Sequence, residues 1–315
     1  MTPAKPLFTY KVIIPYTESA NPRKLFKIDY TIEAPDRETS LQKAEREFFS
    51  FQNYNNAAWI RTLDRDNIRI WRLIPDLPQT TQGIDDLVSL LKSTDIDVLY
   101  NSLKVLGELE DSTASSSVIL LLRHETEDLA ALAAEVLGKF GDPANVPALL
   151  ARYEASAGPR IKASLLSSLS RLARSTDPLQ DVLAQALGDT DSRVRANAVE
   201  CFERLRMPSA TRFLLPLLSD EDNRVRANVL KALWETHDRE KLIQSLESMI
   251  EDPNRWMRAS AAFVLQHIEV ENRLERLSRL LQDEDRDVKK AAWRAVCSLE
   301  TPQTIPVWLQ YLHDN

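Results

Sequence analysis

Glycine is scarce, at six residues in 315. That argues against a glycine-rich phosphate loop and against an all-β chain built on tight turns. Cysteine is nearly absent: Cys201 and Cys297 stand about three repeats of the pattern below apart, too far for a disulfide. With no apolar leader in "MTPAKPLFTY", both are expected to be reduced packing thiols in a cytoplasmic protein. No apolar run reaches about 18 residues, so no membrane-spanning helix is expected. The four histidines, His124, His237, His267 and His313, lie far apart, and no HExxH or CxxC spacing occurs. No metal, cofactor or catalytic constellation is therefore expected. Acid clusters such as "DEDNR" lack the ligand spacing and glycine of a calcium loop. Basic charge is also in deficit, with 40 Lys and Arg against 47 Asp and Glu. Residues 84–315 alone hold 37 acids and 28 bases, a net −9, which disfavours a nucleic-acid partner.

What is present is a repeat. "DTDSRVRANAVECFERL" begins at Asp189, "DEDNRVRANVLKALW" at Asp220, "DPNRWMRASAAFVLQHI" at Asp252 and "DEDRDVKKAAWRAVCSL" at Asp283. Their first apolar anchors are Val194, Val225, Met257 and Val288, and Ile161, Leu129 and Val98 continue the series backwards at spacings of 31 to 33. Seven registers at one period mark a helical array. Each unit reads as two helices, an apolar run before the acids and a second run after the anchor with apolar residues at +4, +5, +8 and +11. Asp191, Asp222 and Asp285 stand three residues before the anchor, where a carboxylate can cap the second helix.

The earlier acid of each turn, Asp189, Asp220, Asp252 or Asp283, lies six residues before a base, Arg195, Arg226, Arg258 or Lys289. This pattern resembles the HEAT repeat, and more narrowly the bacterial HEAT-like repeats named after phycobilisome lyases. The resemblance covers about 84–300. It implies an α-solenoid in which those eight residues form a hydrogen-bonded ladder between successive repeats. Repeats one to three depart from it, with Ser93/Leu99, His124/Ala130 and Ser156/Lys162 at the ladder positions, so the ladder is expected in the C-terminal half.

The first 76 residues read differently. "LFTYKVIIPY" (7–16) and "LFKIDYTIEA" (25–34) alternate in polarity, which is the pattern of half-buried strands. A helix over 35–51 is predicted next, capped by Asp36, with Leu41, Ala44, Phe48 and Phe51 on one face. Short strands follow at 57–63 and 68–74. The expected class is thus α+β: a small ββαββ domain at 1–76 that folds by itself, a Pro-rich linker at 77–83, and about seven helix pairs with a C-terminal cap, including Trp308, at 84–315.

An array of this kind acts through its extended concave surface. At 100° per residue, the exposed positions of the second helix include −1, +2, +3, +6, +9 and +10 relative to the anchor. Trp256 (−1) and Phe263 (+6) break the polar rule there, and Trp234 (+9) adds a neighbour from repeat five. His267 lies one turn beyond Phe263, and Arg193, Arg224 and Lys231 supply a basic rim. These seven residues are the candidate partner-binding site of a non-catalytic scaffold or adaptor, and the basic rim favours a protein partner with an acidic surface. The alternative is that the aromatics pack against the linker, the C-terminal segment or the first domain. A different function is also implied by the resemblance: a phycobilin lyase-type or chaperone-like subunit acting on pigment proteins, although no distinctive lyase motif is present.

Overall fold

The strand alternation near the N-terminus closes into a small antiparallel sheet in the computed structural model, which describes residues 6–19, 21–54, 60–75, 77, 83–155, 158–173, 179–235, 239–299 and 304. Two compact units result, Met1–Val118 and Ile119–Asn315. In the first, β1 (Phe8–Glu18) pairs with β2 (Asn21–Ala34) along almost its whole length, with Val12 opposite Tyr30 and Ile14 opposite Ile28. The other edge of β1 pairs with β3 (Arg61–Leu63) and β4 (Arg69–Arg72), so among the described residues β1 is central and β2 is an edge. The period of two puts Tyr10, Val12, Ile14, Tyr16, Ile32 and Ala34 inside. Helix α1 (Arg37–Tyr54) closes that face with Ala44 and Phe48. Its start is set by Asp36, whose carboxylate accepts the Thr39 N–H at 2.8 Å. The Phe51 side chain lies outside the described residues.

Sequence spacing ends this domain at residue 76, whereas the compact unit runs on through α2 (Ile84–Leu90) and α3 (Ile96–Leu109). The physical tie is polar and aromatic. Asp97 of α3 accepts from Arg37 at 2.5 Å and from the Arg72 N–H at 3.1 Å. Asn101 donates to the Arg72 carbonyl at 2.9 Å and accepts from the Ile74 N–H at 3.3 Å. Trp71 stacks on Tyr100 with centroids 4.4 Å apart and planes within 7°. The contacts explain why repeat one breaks the periodic pattern. Val98 is only half-buried, while Leu99 and the carboxylate of Asp97 are buried.

Helix pairs follow: α4 (Ser115–Leu121) with α5 (Glu127–Phe140), α6 (Val146–Glu154) with α7 (Pro159–Leu172), and α8 (Gln180–Ala186) with α9 (Ser192–Arg204). Next come α10 (Ala210–Leu214) with α11 (Asn223–Leu233), α12 (Arg239–Ile250) with α13 (Arg255–His267), and α14 (Arg273–Leu281) with α15 (Arg286–Ser298). With α2 and α3 these make seven pairs among the described residues. In the second unit each second helix packs on the next, α5 on α7 and so on to α15. The anchors Leu129, Ile161, Val194, Val225, Met257 and Val288 are all buried in that stack. Helix α10 is cut short because Pro216 has no N–H to continue the ladder, and a 3-10 turn, Leu215–Ser219, finishes the segment. The segment carrying Trp308 lies outside the described residues.

Candidate protein-binding face

In repeats four to seven the turn between the paired helices is built from two side-chain caps in series. The first acid accepts the amide two residues on: Asp189 from Asp191 at 2.9 Å, and Asp220, Asp252 and Asp283 from Asp222, Asn254 and Asp285 at 2.8 Å. The second residue then caps the helix. Asp191, Asp222, Asn254 and Asp285 accept from the amides of Arg193, Arg224, Trp256 and Asp287 at 2.8 to 3.0 Å. The first acid keeps oxygens for a base in the preceding repeat. Arg195 reaches Asp220 with two 2.8 Å bonds, and Arg258 reaches Asp283 at 2.7 and 2.9 Å. The third guanidinium arm turns back to its own loop, Arg195 to the carbonyls of Asp189 and Thr190 and Arg258 to those of Asp252 and Pro253. Lys162 makes a 3.3 Å rung to Asp189 from a repeat whose sequence departs from the pattern.

The fifth repeat differs. Arg226 donates to the backbone carbonyl of Asp220 in its own turn, and no Arg226–Asp252 rung forms among the described residues. Lys289 makes no rung there either, although its charge acts on Asp283. Burial by itself raises the Asp283 pKa, but the hydrogen bonds from Arg258 and the Asp285 amide, with the Arg258 and Lys289 charges, hold the carboxyl below its usual range.

The second helices α9, α11 and α13 present a continuous polar face. Arg193 is held by its own cap residue, Asp191, through bonds of 3.0 and 2.6 Å. Arg224 crosses to Glu200 of α9 at 3.1 Å, where Asn228 also donates at 2.9 Å. Lys231 pairs with Glu203 at 3.1 Å. All three rim cations are therefore already balanced by acids of the same face. Phe263 stands among them 39% exposed, with the Lys231 ammonium 5.9 Å from its centroid and His267 edge-on at 4.5 Å. Partial burial pulls the His267 pKa down, and the Lys231 charge adds to it against the opposing Glu203 charge.

Trp256 is half-buried two turns earlier on α13, and the Arg255 guanidinium lies 4.5 Å from its ring centroid. Arg255 is in turn fixed to Asp285 of the next repeat at 3.1 Å. Trp234 does not belong to this face, contrary to its periodic position. It follows the last residue of α11 and is only 2% exposed, with its indole N–H donating to the Glu269 carbonyl at 2.9 Å. Trp234 is the C-cap of α11 and keeps helical dihedrals, φ −54° and ψ −39°, so its burial comes from the later chain that covers it around Glu269.

Residues 84–170, 180–266 and 240–315 match the family model described as HEAT repeats. The chain belongs to the HEAT-repeat family. Among solved structures, this HEAT-repeat chain is similar to E. coli YibA, at 17% identity over 73% of this chain and 86% of that one, with a TM-score of 0.48. It is also similar to the complex of CpcE and CpcF of phycocyanin lyase from Nostoc sp. PCC7120, at 16% identity, covering 69% and 84%, with a TM-score of 0.41. An engineered protein matches at 18% identity, covering 70% and 68%, with a TM-score of 0.37. No curated protein matches the chain.

The HEAT repeats contain further polar joints that periodicity does not reveal. Ser168 donates to the Ala134 carbonyl at 2.7 Å, Asn197 to Ala163 at 2.6 Å and Asn228 to Ala196 at 3.3 Å. Each links one second helix to the backbone of the one before. Cys201 does the same to Leu166 at 3.1 Å, and full burial pushes its thiol pKa up to about 12, so it is an inert packing group. Cys297, by contrast, is exposed, because its place on α15 faces away from the stack. Among the described residues no group of three or more His, Cys, Asp or Glu is placed to hold a metal. No described helix is long and apolar enough to cross a membrane.

Proposed function

We propose that the protein is a non-catalytic scaffold or adaptor of the cytoplasm that holds a protein partner on the face of α9, α11 and α13. One observation carries this reading: Phe263 leaves 39% of its surface open on a face whose cations Arg193, Arg224 and Lys231 are ion-paired. An aromatic ring half-exposed in a polar rim is the usual anchor of a binding hot spot. Trp256 and His267 extend the apolar area, and Lys231 and Arg224 border it.

The charge of the rim bears on the partner. Arg193, Arg224 and Lys231 are each bonded to an acid of the face. An acidic partner would have to displace Glu200 and Glu203 from two of them. Recognition therefore centres on the ring, and added charge is a secondary selection. The partner is identified by affinity capture from the native cell and then measured with Phe263→Ala. The variant should keep the wild-type melting midpoint and bind about 30-fold more weakly, equivalent to ~2 kcal/mol. Unchanged affinity for every captured partner removes this face from the function.

A further inference from the structure

The first helices of repeats two and three do not close fully on each other. Between α4 and α6 lies a cavity of about 540 Å³, in the size range of sites that seat apolar ligands. Its α6 wall is made of alanines. Ala148, Ala151 and Ala155 follow one another at spacings of three and four residues, so they share one face over two helical turns. The α4 wall is bulkier. Leu122 is buried, Ile119 is half-buried and Leu120 stands at the rim. Leu120 is 75% exposed, the highest value among the described large apolar residues. An exposed leucine beside an apolar groove extends one continuous patch, and such patches mark interaction sites.

The charge of the cavity has one sign. Its two charged lining residues are both arginines, and none of the lining residues is acidic. Arg152 of α6 reaches the turn after α4, where its Nε donates to the Leu122 carbonyl at 2.5 Å. Arg123 is the next residue of that turn. Its side chain is exposed and makes no hydrogen bond or ion pair among the described residues. This positive end stands in a repeat region where acids outnumber bases, and where Arg193, Arg224 and Lys231 are each tied to an acid.

We propose that this groove binds a partner protein through an acidic amphipathic helix laid along α6. Bulky apolar side chains at i, i+3 and i+7 of that helix fill the space over the alanines. An aspartate or glutamate near one end of it meets the Arg123 guanidinium. Two features favour a helix over a small apolar carboxylate. The alanine face runs for two turns, about 10 Å, and so presents a groove that a row of helical side chains can enter. Leu120 lies at the rim, where a helix covers it, whereas a molecule confined to the cavity leaves it in water. The groove belongs to the first helices of its repeats and is separate from the Phe263 site on the second helices.

Selection from a displayed library of helical peptides of about 16 residues, long enough to hold a helix, tests this on the full-length protein. The enriched peptides should carry apolar residues at i, i+3 and i+7 and an acid toward one end. Ala151→Leu fills the groove from an exposed position and should weaken their binding by tenfold or more. Arg123→Glu should weaken it by about tenfold, because attraction at the positive end becomes repulsion. Both variants should keep the wild-type melting midpoint, and Ala155→Leu, at a second exposed position, repeats the first result. Phe263→Ala should leave peptide binding unchanged. Failure to enrich any apolar-acidic peptide overturns the proposal. So do enriched peptides that are indifferent to Ala151→Leu or to Arg123→Glu, or that are lost on Phe263→Ala. Saturable binding of dodecanoate that Ala151→Leu abolishes, with no peptide enriched, assigns the groove to a small amphiphile and equally overturns it.

Discussion

Substituting the first acid of a turn should be far more damaging than substituting the second, and Asp220 and Asp222 allow the comparison within one loop. Asp220 is bonded to the Arg195 guanidinium of the preceding repeat, and their side chains are 6% and 10% exposed. Removing one partner of a buried ion pair costs about 3–5 kcal/mol. Here Arg195 keeps its bonds to the Asp189 and Thr190 carbonyls, which lowers that loss to roughly 2 kcal/mol. Asp220→Ala also deletes the acceptor of the Asp222 amide, worth about 1 kcal/mol. The total is about 3 kcal/mol. Asp222→Ala loses a helix cap, ~1 kcal/mol. Urea unfolding followed by circular dichroism gives the ranking, and amide exchange in α9 and α11 locates the loss at their junction. The partner is tested by double-mutant cycles. Asp220→Ala should couple to Arg195→Ala by about 1.5 kcal/mol or more, and to Arg226→Ala by less than about 0.5 kcal/mol, because Arg226 contacts only the Asp220 backbone. Equal costs for the two acids, or stronger coupling to Arg226, would refute this assignment of the turn.

Trp234→Ala should cost ~3–5 kcal/mol as a core truncation, read by thermal melting, whereas Phe263→Ala should leave the melting midpoint within a degree or two. The folded pKa of Asp283 is depressed, so its contribution to stability is present above the ordinary carboxylate value, about 4, and is lost as pH falls through the lower folded value. Asp283→Asn should therefore flatten the acid limb of a stability-versus-pH curve, and an unchanged limb would show that the rung carries no net charge stabilisation. A fragment of residues 1–118 should give a dispersed amide NMR spectrum, and a fragment of residues 1–76 should be less stable because Trp71 loses Tyr100 and the Arg72 backbone loses Asp97 and Asn101. An equally stable 1–76 fragment would support a domain boundary at that residue.

The seven-fold period, the two helices per repeat and the alternating strands were legible in the sequence because each depends on local geometry. A period of 31 to 33 residues places Leu129, Ile161, Val194, Val225, Met257 and Val288 in equivalent buried positions whatever the rest of the chain does. Caps such as Asp222 are likewise local, since donor and acceptor are two or three residues apart. The choice of partner across a junction was decided only in the tertiary structure. Asp220 has two arginines within reach of its turn, and the stacking of α9 on α11 gives its carboxylate to Arg195 and its carbonyl to Arg226. Trp234 shows the same limit on the aromatic face: its backbone stays helical and the helical angle assigns it to the surface, but the later chain at Glu269 covers it and accepts its indole N–H. A periodic pattern determines which side of a helix is apolar. Where the helix ends, and which long side chain meets which neighbour, depends on the packing of residues about thirty positions apart, and that information exists only once the repeats are stacked.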